Sequence, residues 1–250
     1  MSLLELRDLT RAFGSVAAVE GVDTTLEEGE IRGLIGPNGA GKTTLVNLLS
    51  GFLTPTRGQI VFGGTRIERT PAHQRVEHGV GRTFQTPQVC AGLSTLDNIV
   101  LGSHRRLATA RLRNLVGRRT SLAGLRREAA AVGEHVGLGD LLGTPAGALS
   151  YGHVRLVEIA RALMAKPRLL LLDEPVAGMN ESESAEVAEI VRSLPAEGTT
   201  VLVIEHDMPF VMGLCSRISV LDRGRLIADG APEEIQRDPQ VEEVYLGSLA

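Results

Sequence analysis

The chain has 250 residues, 43% hydrophobic and 22% charged, with a formal net charge of −4. That composition is ordinary for a globular protein and excludes a disordered chain, a collagen-like repeat and a small disulfide scaffold. The slight acidity, with a pI near 5.9, also argues against a protein that grips nucleic acid through phosphates, which needs a basic excess. Two cysteines, Cys90 and Cys215, lack CxxC spacing and clustered histidines. They are expected to be buried, inert thiols in a reduced compartment. The first residues mix Glu5, Arg7 and Asp8 into an apolar run, so a signal peptide or membrane span is not expected there. Lys42 and Lys166 are the only lysines among 26 basic residues.

In chain order, the apolar run Ile31–Ile35 reads as a buried strand. It feeds Gly36-Pro37-Asn38-Gly39-Ala40-Gly41-Lys42-Thr43, a match to GxxxxGK[ST]. At this composition the pattern arises by chance only about 0.003 times per chain, and a strand before it with a helix after it is the context its chemistry needs. Backbone N–H groups of the loop and helix start converge on phosphate, Lys42 adds a flexible cation, and Thr43 offers a hydroxyl to Mg²⁺. Residues 42–50 read as the following helix, with Leu45, Val46, Leu48 and Leu49 toward a core and Gly51 as its stop. Residues from about 87 to 160 are richer in helix-like, Arg- and Ala-containing sequence, as expected of a helical insertion in an α/β core. Leu156, Ile159, Ala160 and Leu163 follow helical spacing up to Lys166-Pro167. Leu169–Leu172 then reads as a buried strand from which Asp173 and Glu174 emerge. Asp173 is placed to hold Mg²⁺ and Glu174 to act as general base toward water. Val201–Ile204 and Ile218–Leu221 read as further strands.

Leu149-Ser150-Tyr151-Gly152-His153 resembles the signature sequence of ABC ATPases. The motif order matches as well, with Gln85 about 40 residues after the phosphate loop and His206 after a late strand. The resemblance covers essentially the whole chain and implies an α/β P-loop NTPase (RecA-like) core with an N-terminal antiparallel β subdomain and an inserted α-helical subdomain. The expected division is 1–86 and 161–225 for the nucleotide-binding core, 87–160 for the helical subdomain and 226–250 for a C-terminal tail. The resemblance further implies that Gly36 to Thr43 and Thr44 bind nucleotide, and that Phe13 stacks on adenine; a small-core role for Phe13 stays open. Gln85 would reach Mg²⁺ or water, and His206 would contact the γ-phosphate and orient Glu174. In such proteins two ATPase subunits pack head to tail, and each signature closes over ATP held by the opposite phosphate loop. Ser150 and Gly152 suit that task because a helix start with a hydroxyl and unpaired N–H groups is an anion site.

Arg82-Thr-Phe-Gln-Thr-Pro-Gln88, Glu174 to Asn180 and the segment Asp238 to Gly247 look like the ATPase subunits of branched-chain amino-acid importers. That resemblance implies a peripheral subunit on the cytoplasmic face of the membrane, with ATP and Mg²⁺, a second ATPase subunit, two permease subunits and, indirectly, an external solute-binding protein. Urea or amide importers and lipopolysaccharide-type exporters share most of these motifs and remain alternatives. Two departures stand out: His153 replaces the usual Gln, and Asn180 stands where many such ATPases have Asp. Arg105, Arg106, Arg111, Arg113, Arg118, Arg119, Arg126 and Arg127 form the densest basic stretch. It reads first as a solvated helical face and second as a surface near membrane or permease.

Overall fold

The computed structural model describes residues 1–103 and 122–247, with side chains up to residue 244. These residues divide into two compact units, one of 1–82, 168–174 and 191–250 and another of 83–167 and 175–190. In the first, β1 (Ser2–Phe13), β2 (Val16–Glu27), β4 (Arg57–Phe62) and β5 (Thr65–Arg66) form an antiparallel sheet in the order β2-β1-β4-β5. A second sheet contains β3 (Ile31–Ile35), β6 (Val80–Arg82), β7 (Leu169–Asp173), β8 (Thr200–Ile204), β9 (Arg217–Asp222) and β10 (Arg225–Gly230), in the order β10-β9-β3-β8-β7-β6. All its pairings are parallel except β9 with β10. Every residue of β3, β7 and β8 is buried. The apolar runs of β7 and β8 are what a parallel sheet covered on both faces requires, while β3 also buries Arg32, paired with Glu30 and Asp229.

Helix α1 (Lys42–Ser50) follows the glycine loop and buries Leu45, Val46, Leu48 and Leu49. These side chains join one core with Leu4, Leu6 and Ile60 of the antiparallel sheet and Leu169, Leu171 and Leu202 of the parallel sheet. The phosphate-loop helix is thus gripped by both sheets. Its C-terminal carbonyls meet Arg75 on α2 (Ala72–His78), a buried guanidinium. Arg75 donates to the Leu48 and Leu49 carbonyls, and also to those of Glu68 and Thr70. Burial pulls its pKa down to about 10, although the Glu68 charge opposes the shift. A cation on the last carbonyls of a helix satisfies orphan acceptors and offsets the macrodipole. Arg75→Met is therefore expected to lower stability by about 3 kcal/mol, the scale for stranding buried acceptors. An unchanged urea midpoint would remove Arg75 from this role.

The second unit holds α3 (Thr95–Val100), α4 (Leu122–His135), α5 (Tyr151–Leu163) and the first ten residues of α6 (Glu181–Ser193). Ile99, Leu125, Ala129, Leu156, Val157 and Ile159 are its buried apolar residues at helical spacing. The first unit continues through α7 (Met208–Leu214), α8 (Pro232–Gln236) and α9 (Pro239–Gly247). Three details differ from the sequence expectation. The helical unit spans 83–167 rather than 87–160 and also takes in 175–190, because the chain leaves β7 at Glu174 and re-enters a helix capped by Asn180. The segment after 225 is no loose tail, since β10 pairs with β9 along Arg225–Gly230. Cys90 is exposed; only Cys215 is buried, and desolvation pushes its thiol up to about 12.

Candidate nucleotide site

The parallel register brings three strand ends together. Leu34 and Asp173 both pair with Ile204 of the intervening strand β8. Gly36, Glu174 and His206 therefore leave the same edge of one sheet, two residues, one residue and two residues beyond those partners. Carboxyl ends of parallel strands are where open α/β sheets place ligands.

The phosphate loop is shaped by close backbone approach. Gly36 has φ 147°, and a Cβ there would lie 2.0 Å from the Leu221 carbonyl oxygen. Gly41 has φ 104°, and a Cβ there would lie 2.2 Å from the carbonyl oxygen of Ala18. Only glycine satisfies both the dihedral and the space. Behind the loop, Gly224 N–H donates to the Ala40 carbonyl at 2.8 Å, tying the β9–β10 turn to it. Lys42 Nζ donates to the carbonyls of Gly36 at 2.6 Å and Pro37 at 3.0 Å. Burial lowers its pKa, while the charges of Glu174 and Asp173 act in the opposite direction. Lys42 thus feels both acids electrostatically. Thr43 and Thr44 occupy the first turn of α1, Thr43 exposed.

Asp173 is buried at the end of β7, where Arg82 Nη2 donates to its Oδ2 at 3.0 Å. Glu174 has φ 49°, a left-handed conformation that costs a non-glycine residue energy and recurs at functional sites. Its N–H donates to the Ile204 carbonyl at 2.9 Å, which fixes the acid one step beyond the ladder. His206 is 69% exposed on its side chain, with Nδ1 3.7 Å from Oε2 of buried Glu205. The same carboxylate accepts the His206 N–H at 3.0 Å, so Glu205 holds the histidine's backbone in place. Phe13 is 48% exposed at the end of β1, under the Arg11 guanidinium at 4.6 Å from the ring centroid. That exposure removes the small-core alternative and leaves a π-face available to an aromatic ligand.

In the second unit, Ser150 is the N-cap of α5. Its Oγ accepts from His153 N–H at 3.3 Å and lies 3.0 Å from His153 Nδ1. His153 therefore engages the Ser150 hydroxyl directly. Leu149 precedes the cap, Tyr151 is exposed and Gly152 is buried. Asn180 and Glu183 form a reciprocal cap at the start of α6. Each side chain accepts the other's backbone N–H at 3.0 Å. Asn serves at such a cap as well as Asp does, so the departure at 180 leaves the local geometry intact. Gln85 is exposed, and its carbonyl accepts from Arg155 Nη2 at 2.8 Å. Arg155 is fully buried and also donates to the Phe84 carbonyl and to Glu158, clamping the backbone of the Gln85 segment onto α5. Lys166 also lies in this unit, with φ 51° and an exposed ion pair to Glu128 at 2.9 Å. It has the part of a surface residue at a helix end.

Of the arginine stretch, Arg105 to Arg119 lie outside the described residues. Arg126 and Arg127 are exposed on α4, and Arg126 pairs with Asp97 at 3.0 Å. Sequence reasoning gave no role to Arg75, Arg82, Arg155 or Glu205. Buried charge at these positions leaves no periodic trace, because each acts on backbone or on side chains of other elements.

A glycine loop and lysine after β3, with two consecutive acids at the same-side end of β7, define a P-loop nucleoside triphosphatase core. The sequence model of the ABC transporter family matches residues 19–177, and that of the branched-chain amino acid ATP-binding cassette transporter matches 225–249. The chain is 40% identical to the high-affinity branched-chain amino acid transport ATP-binding proteins BraF of Pseudomonas aeruginosa and LivG of Escherichia coli, over 98% of both partners in each case. A crystal structure of the ADP conformation of an ATP-binding cassette of an ABC transporter superposes with a TM-score of 0.88 at 32% identity, covering 99% of each chain. The chain belongs to the ABC transporter ATPase family, in the branch of the branched-chain amino acid transport ATP-binding proteins. No helix among the described residues is long and apolar enough to cross a membrane.

Proposed function

We propose that the first unit binds ATP on residues 36–44 and hydrolyses it to drive import of branched-chain or related amino acids through membrane partners. The observation that carries this reading is the strand register, which brings the glycine loop after β3 and the acids Asp173 and Glu174 of β7 to the same carboxyl end of the sheet. Lys42 and the loop N–H groups take the β- and γ-phosphates, and Phe13 stacks on the adenine. The residues of the first unit fit magnesium: the Asp173 carboxylate and the Thr43 hydroxyl are hard oxygen donors. Among the described residues no cluster of three or more acidic, histidine or cysteine side chains forms a metal cage. A nucleotide-borne magnesium needs only one or two carboxylates besides phosphate. Bound there, the ion would neutralise charge on the phosphate oxygens.

In the hydrolytic step, the Glu174 carboxylate accepts a proton from water as the water oxygen bonds to the γ-phosphorus. The bond from phosphorus to the bridging oxygen breaks, and ADP leaves with that electron pair. His206 orients Glu174 and the γ-phosphate. Leu149 to His153 complete the site on the opposite subunit, Ser150 and the N–H groups at the start of α5 meeting its γ-phosphate.

The assembly follows as one peripheral ATPase pair on the cytoplasmic side, of this chain with itself or with a sister subunit, beneath two permeases fed by an external solute-binding protein. Affinity purification of the tagged chain from native membranes tests it. Recovery of an importer permease pair, and ATP-dependent leucine uptake by the reconstituted complex, is expected. Recovery of an export-type permease, such as one for lipopolysaccharide, would overturn the direction and the solute class together.

A further inference from the structure

Arg82 ends β6 as a nearly buried cation with three polar partners on two other elements. Its Nη1 donates to Asn47 Oδ1 at 2.7 Å and Ser50 Oγ at 2.9 Å, both on α1, and its Nη2 donates to Asp173 Oδ2 at 3.0 Å. The side chains of Arg82 and Asp173 are 10% and 8% exposed. The Phe52 ring covers the guanidinium at 5.7 Å. One rigid fork therefore joins the phosphate-loop helix to the strand that ends in the magnesium-site acid.

We propose that Arg82 is a positioning and charge-balancing residue for Asp173. This inference rests on the reading of Asp173 as a magnesium ligand. A buried carboxylate demands a counter-charge. Arg82 supplies one from behind, and its planar fork fixes the orientation of the carboxylate. Asp173 and Glu174 stand next to each other beside a site meant for a polyanion. Without Arg82 the excess negative charge would repel nucleotide phosphates unless a metal ion arrived with them. Arg82 thus sets how strongly nucleotide binding depends on magnesium. The device lies in the segment Arg82-Thr-Phe-Gln, so the residue that steadies the metal acid immediately precedes the one that leads to Gln85.

The test is the ratio of a fluorescent ATP analogue's Kd in EDTA to its Kd in Mg²⁺, read by equilibrium titration of the intact chain. Removing the charge while keeping the bulk, Arg82→Met, is expected to raise that ratio about tenfold over wild type, because Mg²⁺ replaces the missing cation and EDTA does not. Arg82→Lys is expected to return the ratio to within about threefold of wild type. A merely structural lesion weakens both affinities alike and leaves the ratio where it was, and that result, or a lower ratio, overturns the proposal. Failure of the underlying reading looks different: Asp173→Asn would then leave the magnesium dependence of the wild type untouched. Circular dichroism of each variant confirms that the chain titrated is folded.

Discussion

Glu174→Gln is expected to keep ATP and magnesium binding within a few-fold of wild type while lowering the turnover number by roughly 10²–10⁴, the range for losing a general base. The amide has nearly the shape of the carboxylate, so the left-handed turn and the bond from the residue 174 N–H to the Ile204 carbonyl persist. What disappears is the ability to accept a proton from water in the transition state, an effect on kcat rather than on affinity. Single-turnover hydrolysis measured beside nucleotide titration separates the two quantities. Wild-type turnover in this variant would pass the base role to another group, with His206 the next candidate on the same sheet edge.

Lys42→Ala is expected to weaken ATP binding about 10- to 150-fold, the equivalent of losing a hydrogen bond to a charged group. Two of the three ammonium protons already bind the Gly36 and Pro37 carbonyls. The lysine therefore closes the loop on itself and has one donor left for phosphate. Truncation removes both the charge and the closure. Lys42→Arg should not rescue binding fully, because a wide planar guanidinium cannot place a single donor inside the small ring formed by those carbonyls. Calorimetric titration with ATP measures the effect, and an unchanged Kd in Lys42→Ala would contradict the phosphate-loop assignment.

The sequence read most clearly where chemistry and periodicity coincide. Ile31–Ile35, Leu169–Leu172 and Val201–Ile204 fall inside β3, β7 and β8, and residues 42–50 form α1 as the strand-loop-helix context required. Buried parallel strands announce themselves by unbroken apolar runs, and GxxxxGK[ST] by its glycines. The ladder between β7 and β8 was not legible, since pairing depends on which residue of one strand meets which of the other. Yet that register is what places Glu174 beside the carbonyl of Ile204. The buried arginines were equally silent. Arg75, Arg82 and Arg155 look like three more members of an arginine-rich, lysine-poor composition, but each is buried or nearly so and donates to backbone carbonyls or a key carboxylate. By contrast, the scarcity of lysine did carry information at position 42, where a flexible point charge is needed, and none at exposed Lys166. Cys90 was misjudged because a lone cysteine's preference for burial is only statistical; here its N–H and carbonyl are tied down by Asn98 while the residue stays exposed.

The most direct test is the crystal structure of the Glu174→Gln variant with MgATP. The triphosphate should lie on residues 36–44 with its γ-phosphate in reach of Lys42 Nζ, and the metal should be held by Thr43 and Asp173. A triphosphate bound away from that loop, or a metal ligated without Asp173, would contradict the site assigned to this ATPase.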